Sequence, residues 1–280
     1  MIKMSDVWDR ATEFLGDNVS ALAPVGLLIA LLLAFQQGVT TMREGAAPMT
    51  GALLALLALV PAFASLVARL AVLAFAVDGD AGLNGGLALA MRRFWVVFGV
   101  FLLLVLAVAL LIIPFVALIS ASGVPWSAFQ GGKVDPSVFS NFPGWVAGAM
   151  LIYSLVLIIG GLWLGVRLAL VSPVVLLENR SIGAFGRSFA LTKGLALRLL
   201  GVLILIAVVA GVAQIATRTV IGSVLRLALG DGGPLGAASI LTILAVSLVG
   251  AVFALVGDAF TGKLYVAARA REAGVATEAA

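Results

Sequence analysis

Three cations and one carboxylate stand inside otherwise apolar runs: Arg69, Arg167 and Lys263, with Asp258 five residues before the last. If those runs cross a bilayer, an arginine there costs about 2.5–3.5 kcal/mol on insertion scales, so it faces a cavity, a partner or the headgroups. A buried carboxylate must be paired or protonated. Pairing an arginine with Asp258 satisfies two costly groups together. Leaving one cation unpaired makes an anion site, and phosphate suits it because a guanidinium donates two parallel hydrogen bonds. The alternative is that Arg69 and Arg167, in the helix halves nearest Asp78 and Glu178, snorkel to the headgroups and only anchor their helices. Asp258 and Lys263 are rotated by about 140° on an ideal helix, so they look toward different neighbours. We expect Asp258 to turn inward to Arg167, leaving Arg69 as the cation for an anionic headgroup.

Other chemistry is narrow. The 280 residues include no cysteine and no histidine, which removes disulfides, thiol nucleophiles, imidazole ligands and the side chain that most often moves protons near neutral pH. No phosphate-binding loop, nicotinamide fingerprint or nucleophile elbow is present. The run Gly82-Leu-Asn-Gly85-Gly86 reads as a turn. We therefore expect no catalytic residue, no metal site and no cofactor, and read the chain as not an enzyme. The formal charge is +4, but in a membrane chain the placement of cations matters more than their sum, and nucleic acid is a poor partner.

The elements that must hold those charges follow from composition. Hydrophobic residues make up 63% of the chain and charged ones 11%, against about 45–50% and 25% in soluble domains. A soluble core of this length cannot hide the excess, so lipid is the solvent. A spanning helix takes about 20 apolar residues. Six stretches qualify: Ser20–Gln36, Gly51–Val77, Phe94–Ile119, Gly144–Leu177, one from Leu199 that continues as an amphipathic piece Thr217–Leu229, and Leu235–Ala268. The fourth is too long to cross straight and should tilt or kink near Gly160–Gly161 or Pro173. Its spacings Gly144-xxx-Gly148 and Gly161-xxx-Gly165 let backbones approach closely, which places it at the centre of the bundle. The N-terminal residues lack the basic start, short apolar run and cleavage site of a signal peptide and are expected to be retained.

Basic residues set the orientation, because cytoplasmic loops keep Lys and Arg. With both ends inside, the cytoplasmic segments hold Lys3, Arg10, Arg92, Arg93, Arg180, Arg187, Lys193, Arg198, Lys263, Arg269 and Arg271. The far side holds Arg43, Lys133, Arg218 and Arg226, and its longest connection is Ser120–Phe142. Trp126 and Trp145 flank that connection as interface-belt residues.

The chain also repeats itself. Leu66-Val-Ala-Arg69-Leu70-Ala-Val recurs as Leu164-Gly-Val-Arg167-Leu168-Ala-Leu and, more faintly, as Phe260-Thr-Gly-Lys263-Leu264-Tyr-Val. Each outgoing span follows a short amphipathic segment: Met4–Leu15, Leu83–Arg93 and Ile182–Thr192. Trp8, Phe14 and Phe185 are the expected interfacial anchors of the first and third. The expected architecture is an all-α integral membrane protein with about six transmembrane helices in three parallel-repeat hairpins, each preceded by a cytoplasmic interfacial helix. It forms one membrane domain over 1–280 with units of about 1–79, 80–178 and 179–280, and a disordered tail from about 273.

The run from Val175 through Glu178, Arg187, Ser188 and Thr192 to Gly194, with the ending Leu264-Tyr265-Val-Ala-Ala-Arg269-Ala-Arg271, resembles a bacterial pattern. It is similar to the membrane domain preceding the catalytic domain of some glycerophosphoryl diester phosphodiesterases, and to YciC-type inner-membrane proteins. That resemblance implies the bacterial cytoplasmic membrane and association with lipid. The catalytic barrel of those fusions uses histidines and metal-binding carboxylates, which this chain does not carry, so the resemblance implies no phosphodiesterase activity. The expected function is to bind or move a lipid or an anionic amphipathic molecule. The expected partners are membrane lipids, with another membrane protein or further copies of the chain as possible additions. A small-solute transporter or channel is the first alternative and needs a continuous polar path, for which the outer halves supply only scattered Ser, Thr and Gln. The second alternative is a structural or assembly partner of another membrane protein.

Overall fold

The computed structural model describes residues 2–43, 46–124 and 142–278, and among them every regular element is helical. In chain order these are α1 (Met4–Asp17), α2 (Val19–Arg43), α3 (Pro48–Val77), α4 (Gly82–Ala121), α5 (Gly144–Leu168), α6 (Val171–Glu178), α7 (Gly183–Leu191), α8 (Ala196–Ala216), α9 (Gly222–Leu229) and α10 (Ala237–Glu278). Six stretches are long and apolar enough to cross a membrane: Val19–Arg43, Met49–Val77, Gly82–Ala121, Gly144–Glu178, Ala196–Leu229 and Ala237–Gly274.

Local chemistry explains where these boundaries depart from the expected ones. The first span runs past Gln36 to Arg43, where the Thr40 and Thr41 hydroxyls satisfy themselves by donating back to the Gln36 and Gln37 carbonyls. Leu83–Arg93 is not a separate interfacial helix but the opening of α4, and Gly82–Gly86 lies in that helix rather than in a turn. Close packing is what Gly86 serves, since a Cβ there would stand 2.5 Å from the Ala71 carbonyl oxygen, while Gly82 enters the helix with a positive φ of 62°. The fourth span passes Gly160–Gly161 unbroken and is interrupted between Leu168 and Val171. Pro173 has no N–H for the Ala169 carbonyl, and its ring clashes there. Asn179, in the left-handed region at φ 54°, ends α6. Between α8 and α9 the helix loosens into one turn of π-helix, Thr217–Ile221. α10 continues through Glu278, beyond the expected start of a disordered tail, in a stretch rich in helix-favouring Ala, Arg and Glu. Trp126 and most of the connection Ser120–Phe142 lie outside the described residues, while Trp145 is exposed.

The chain forms two compact units, Met1–Phe94 with Val166–Ala280, and Trp95–Gly165. In the first, α2, α3 and α10 pack around Ile29, Ala30, Ala68 and Ala251. Contacts of α10 with α2 run antiparallel: Ser247 meets Gln37, and a Cβ on Gly26 would lie 2.9 Å from Leu255 Cδ1. With α3 they run parallel: a Cβ on Gly262 would lie 2.8 Å from Ala76 Cβ and 3.2 Å from the Leu73 carbonyl oxygen. α1 lies against this unit with Val7, Ala11 and Phe14 buried and with Asp6, Asp9, Arg10, Glu13 and Asp17 exposed.

The second unit is an antiparallel pair of helix segments. Its small core is Ile119, Val146 and Met150, and Tyr153 Oη donates to the Leu111 carbonyl. Large apolar side chains such as Leu106 and Leu151 are exposed, as lipid-facing residues are. Within this unit the glycine spacings of the fourth span bring no neighbouring atom close. A Cβ built on Gly144, Gly148, Gly160, Gly161 or Gly165 meets nothing within 4 Å. Small-residue spacing records that a helix could be approached closely, not that it is.

Candidate functional site: charged groups within the spans

Asp258 pairs with Arg69, not with Arg167 as expected. The guanidinium donates from Nε to Oδ2 at 2.9 Å and from Nη2 to Oδ1 at 2.8 Å, a two-pronged pair. The parallel packing of α10 on α3 sets this register, since Gly262 meets Leu73 and Ala76 one turn further along. The Asp258 side chain is 13% exposed and that of Arg69 48%, so the carboxylate is sheltered while the guanidinium opens outward. Nη1 makes no hydrogen bond among the described residues. The pair thus holds an arginine in a fixed orientation with one donor edge available.

The other two cations are held elsewhere. Lys263 Nζ sits 4.7 Å above the Phe14 ring, which in turn meets Phe75 edge-on at 5.0 Å. The lysine thereby fastens α1 to α10 through the attraction of an ammonium for an aromatic face. Trp8, at the edge of the same contact, has its ring 6.3 Å from Phe260. Arg167 Nη1 donates to the Phe189 carbonyl at 3.3 Å, its guanidinium lies 5.9 Å from that residue's ring, and Ser188 Oγ donates to the Arg167 carbonyl at 2.6 Å. The side chain therefore bridges the end of α5 to α7, where Phe185 is half-buried. Three equivalent-looking sequence positions end in three different contacts.

Two features escaped the sequence reading. One is an ionic knot joining α6, α7 and α10. Arg187 donates to Glu272 at 2.6 and 2.8 Å and to Glu178 at 3.0 Å, and Tyr265 Oη donates to Glu178 at 3.1 Å. Glu272, with burial opposing and Glu178 assisting, holds the Arg187 guanidinium in its charged form above the usual arginine range. Arg271 donates to the Lys193 carbonyl at 3.2 Å. The two segments that carry the bacterial resemblance are thus packed against each other, a pairing that sequence adjacency could not indicate.

The other feature is a cavity of about 430 Å³ at the opposite end of the first unit, where α2 ends and α10 begins. Arg218 and Arg226 line it with Gln37, Thr41, Ser223 and Thr242. Its lining contains no carboxylate. The only sequence signal was that both arginines are exceptions to the charge bias.

Together these features define an all-helical, multi-pass membrane protein with a charge pair inside its spans and a basic cavity at one end. Compared with family models, with characterised proteins and with solved structures, the chain matches none.

Proposed function

We propose that the chain is a non-enzymatic protein of the bacterial cytoplasmic membrane, with both termini cytoplasmic, that binds or moves an anionic amphipathic molecule, a lipid or its headgroup, at Arg69. The observation that carries this reading is the half-exposed guanidinium held by a sheltered Asp258 with its Nη1 edge open. A fixed fork of donors in a low-dielectric setting suits a phosphate oxygen better than a mobile lysine does. The repeated arginine motif, the α1 amphipathic face and the likeness to YciC-type membrane domains agree with repeated hairpins, of which the first and third are preceded by short helices. The test is native mass spectrometry of the full chain in mild detergent. Wild type and Asp258→Asn should retain anionic phospholipid, and the double variant Arg69→Leu/Asp258→Asn should be folded but stripped of it. Equal lipid retention by the double variant would sink the reading.

A second reading, an assembly partner of another membrane protein, is favoured by the open glycine spacings of α5. Another helix could approach them closely. A stable heteromer in the same experiment, lost on Gly148→Leu, would favour it.

A further inference from the structure

We propose that the cavity between the ends of α2, α9 and α10 is a binding site for a phosphate group, distinct from the Arg69 pair. Four observations point there. First, two guanidiniums line one cavity of about 430 Å³, within the usual range for small-molecule sites. Second, neither Arg218 nor Arg226 has a salt bridge among the described residues, whereas Arg69 and Arg187 are matched by carboxylates. The cavity is therefore a concentration of positive charge with no ion-pair partner among the described residues.

Third, the backbone is shaped to converge these two side chains. They stand eight residues apart, which on an ideal α-helix leaves them about 80° out of line. The π turn Thr217–Ile221 holds one residue more than an α turn, so one turn of each kind spans about eight residues and both arginines come to one face. Their Cα atoms then lie about 12 Å apart along the axis, so two long side chains can reach a single anion from either side. A π turn inserted in a helix is a costly irregularity that recurs at functional sites; here it is what aligns the pair.

Fourth, most of the rest of the wall is made of hydroxyls and an amide, with Gly222, Pro234 and Ile243 beside them. Thr242 Oγ1 donates to the Ala238 carbonyl and Gln37 Nε2 donates to Ser247. Ser223 is exposed and forms no hydrogen bond to another described side chain, so its hydroxyl can add to the two forks. Two guanidiniums and a hydroxyl can saturate the terminal oxygens of a phosphate ester, three in a monoester and two in a diester. The two guanidiniums fix which part of the ligand enters, its phosphate.

The phosphate could belong to a lipid headgroup or to a soluble ester, and the experiment separates them. The full chain, purified in a non-ionic detergent, is titrated calorimetrically with glycerol 3-phosphate and, separately, with dihexanoyl-phosphatidylglycerol. Binding by the lipid alone assigns the site to a headgroup, and binding by glycerol 3-phosphate alone assigns it to a soluble ester; either supports the site if Arg218→Gln/Arg226→Gln weakens it by about tenfold or more, the scale of a lost charge-assisted pair. In the Arg69→Leu/Asp258→Asn background the binding that Arg218→Gln/Arg226→Gln removes should persist whatever lipid is lost at Arg69, which keeps this test separate from that of the Arg69 reading. A second measurement needs no arginine change: since the chain has no cysteine, Ser223→Cys can be labelled alone, and the binding ligand should slow its modification severalfold. Absence of binding by both compounds, or unchanged affinity in the double arginine variant, or labelling of Ser223→Cys that neither compound slows, overturns the proposal.

Discussion

At the scale of residues, the pairing of Asp258 with Arg69 turns on direction rather than on charge. Both arginines stand in the same seven-residue pattern, so sequence offered two partners for one carboxylate. The five-residue step from Asp258 to Lys263 does orient those two differently, as their separate contacts with Arg69 and Phe14 bear out. Choosing between Arg69 and Arg167 needed the parallel register of α3 and α10, which no local spacing contains. The pair predicts a non-additive mutational cycle. Arg69→Leu leaves a sheltered carboxylate without its cation and should destabilise by about 3–5 kcal/mol, while adding Asp258→Asn should recover most of that loss. Thermal unfolding in detergent for the two single variants and the double one measures the coupling. Additive losses would mean that the two side chains do not depend on each other.

At the scale of elements, α1 shows what an amphipathic pattern does and does not reveal. Its buried face of Val7, Ala11 and Phe14 was legible from helical spacing, but its contact with the bundle through Lys263 and Phe75 was not. Phe14 is 7% exposed and Trp8 39%, so Phe14 should be the stronger anchor. Phe14→Ala removes a buried ring together with the partner of Lys263, a change of the class that costs about 3–5 kcal/mol, whereas Trp8→Ala should cost less. Limited proteolysis at Arg10 should therefore be faster in Phe14→Ala than in Trp8→Ala; the reverse order would show that α1 is held by its outer edge.

The same scale contains the α3–α10 approach and the ionic knot. Gly262→Val would drive two methyls toward the Leu73 carbonyl and Ala76, where even a Cβ is already too close, and should cost at least about 1–3 kcal/mol, read as a lowered unfolding temperature. In the knot, Arg187→Met leaves Glu272 without its arginine and Glu178 with only Tyr265 and Arg180, while Glu272→Gln keeps the Arg187–Glu178 contact, so the first should lower the unfolding temperature more. Helix content and the break before Pro173 were readable because hydrophobicity and proline act locally. The continuity of α4 was not, because a glycine-rich, polar opening turn looks like a boundary until α3 is found packed against it.

At the scale of the whole molecule, the number of spans was legible from length and hydropathy, and the far-end cavity was not. Its walls come from positions as distant as Gln37, Ser223 and Thr242, and each alone is an ordinary polar residue near a helix end. The π turn that aligns its arginines has no sequence signature in this chain. The bias of Lys and Arg predicts on which side of the membrane the cavity opens. Eleven cations fall in the segments assigned to the cytoplasm and four in the opposite ones, and two of those four are Arg218 and Arg226. An exception to the bias is costly to place without a use, since loops rich in Lys and Arg are retained on the cytoplasmic side. If the orientation holds, the cavity faces away from the cytoplasm while α1 and the ionic knot face it. Asp80, between α3 and α4, and Asp231, between α9 and α10, are both exposed and sit on opposite sides in this arrangement. With no native cysteine to interfere, Asp231→Cys should react with a membrane-impermeant maleimide in intact cells, and Asp80→Cys only after lysis. The opposite pattern would turn the molecule over and put the basic cavity on the cytoplasmic face, against the charge rule that places it.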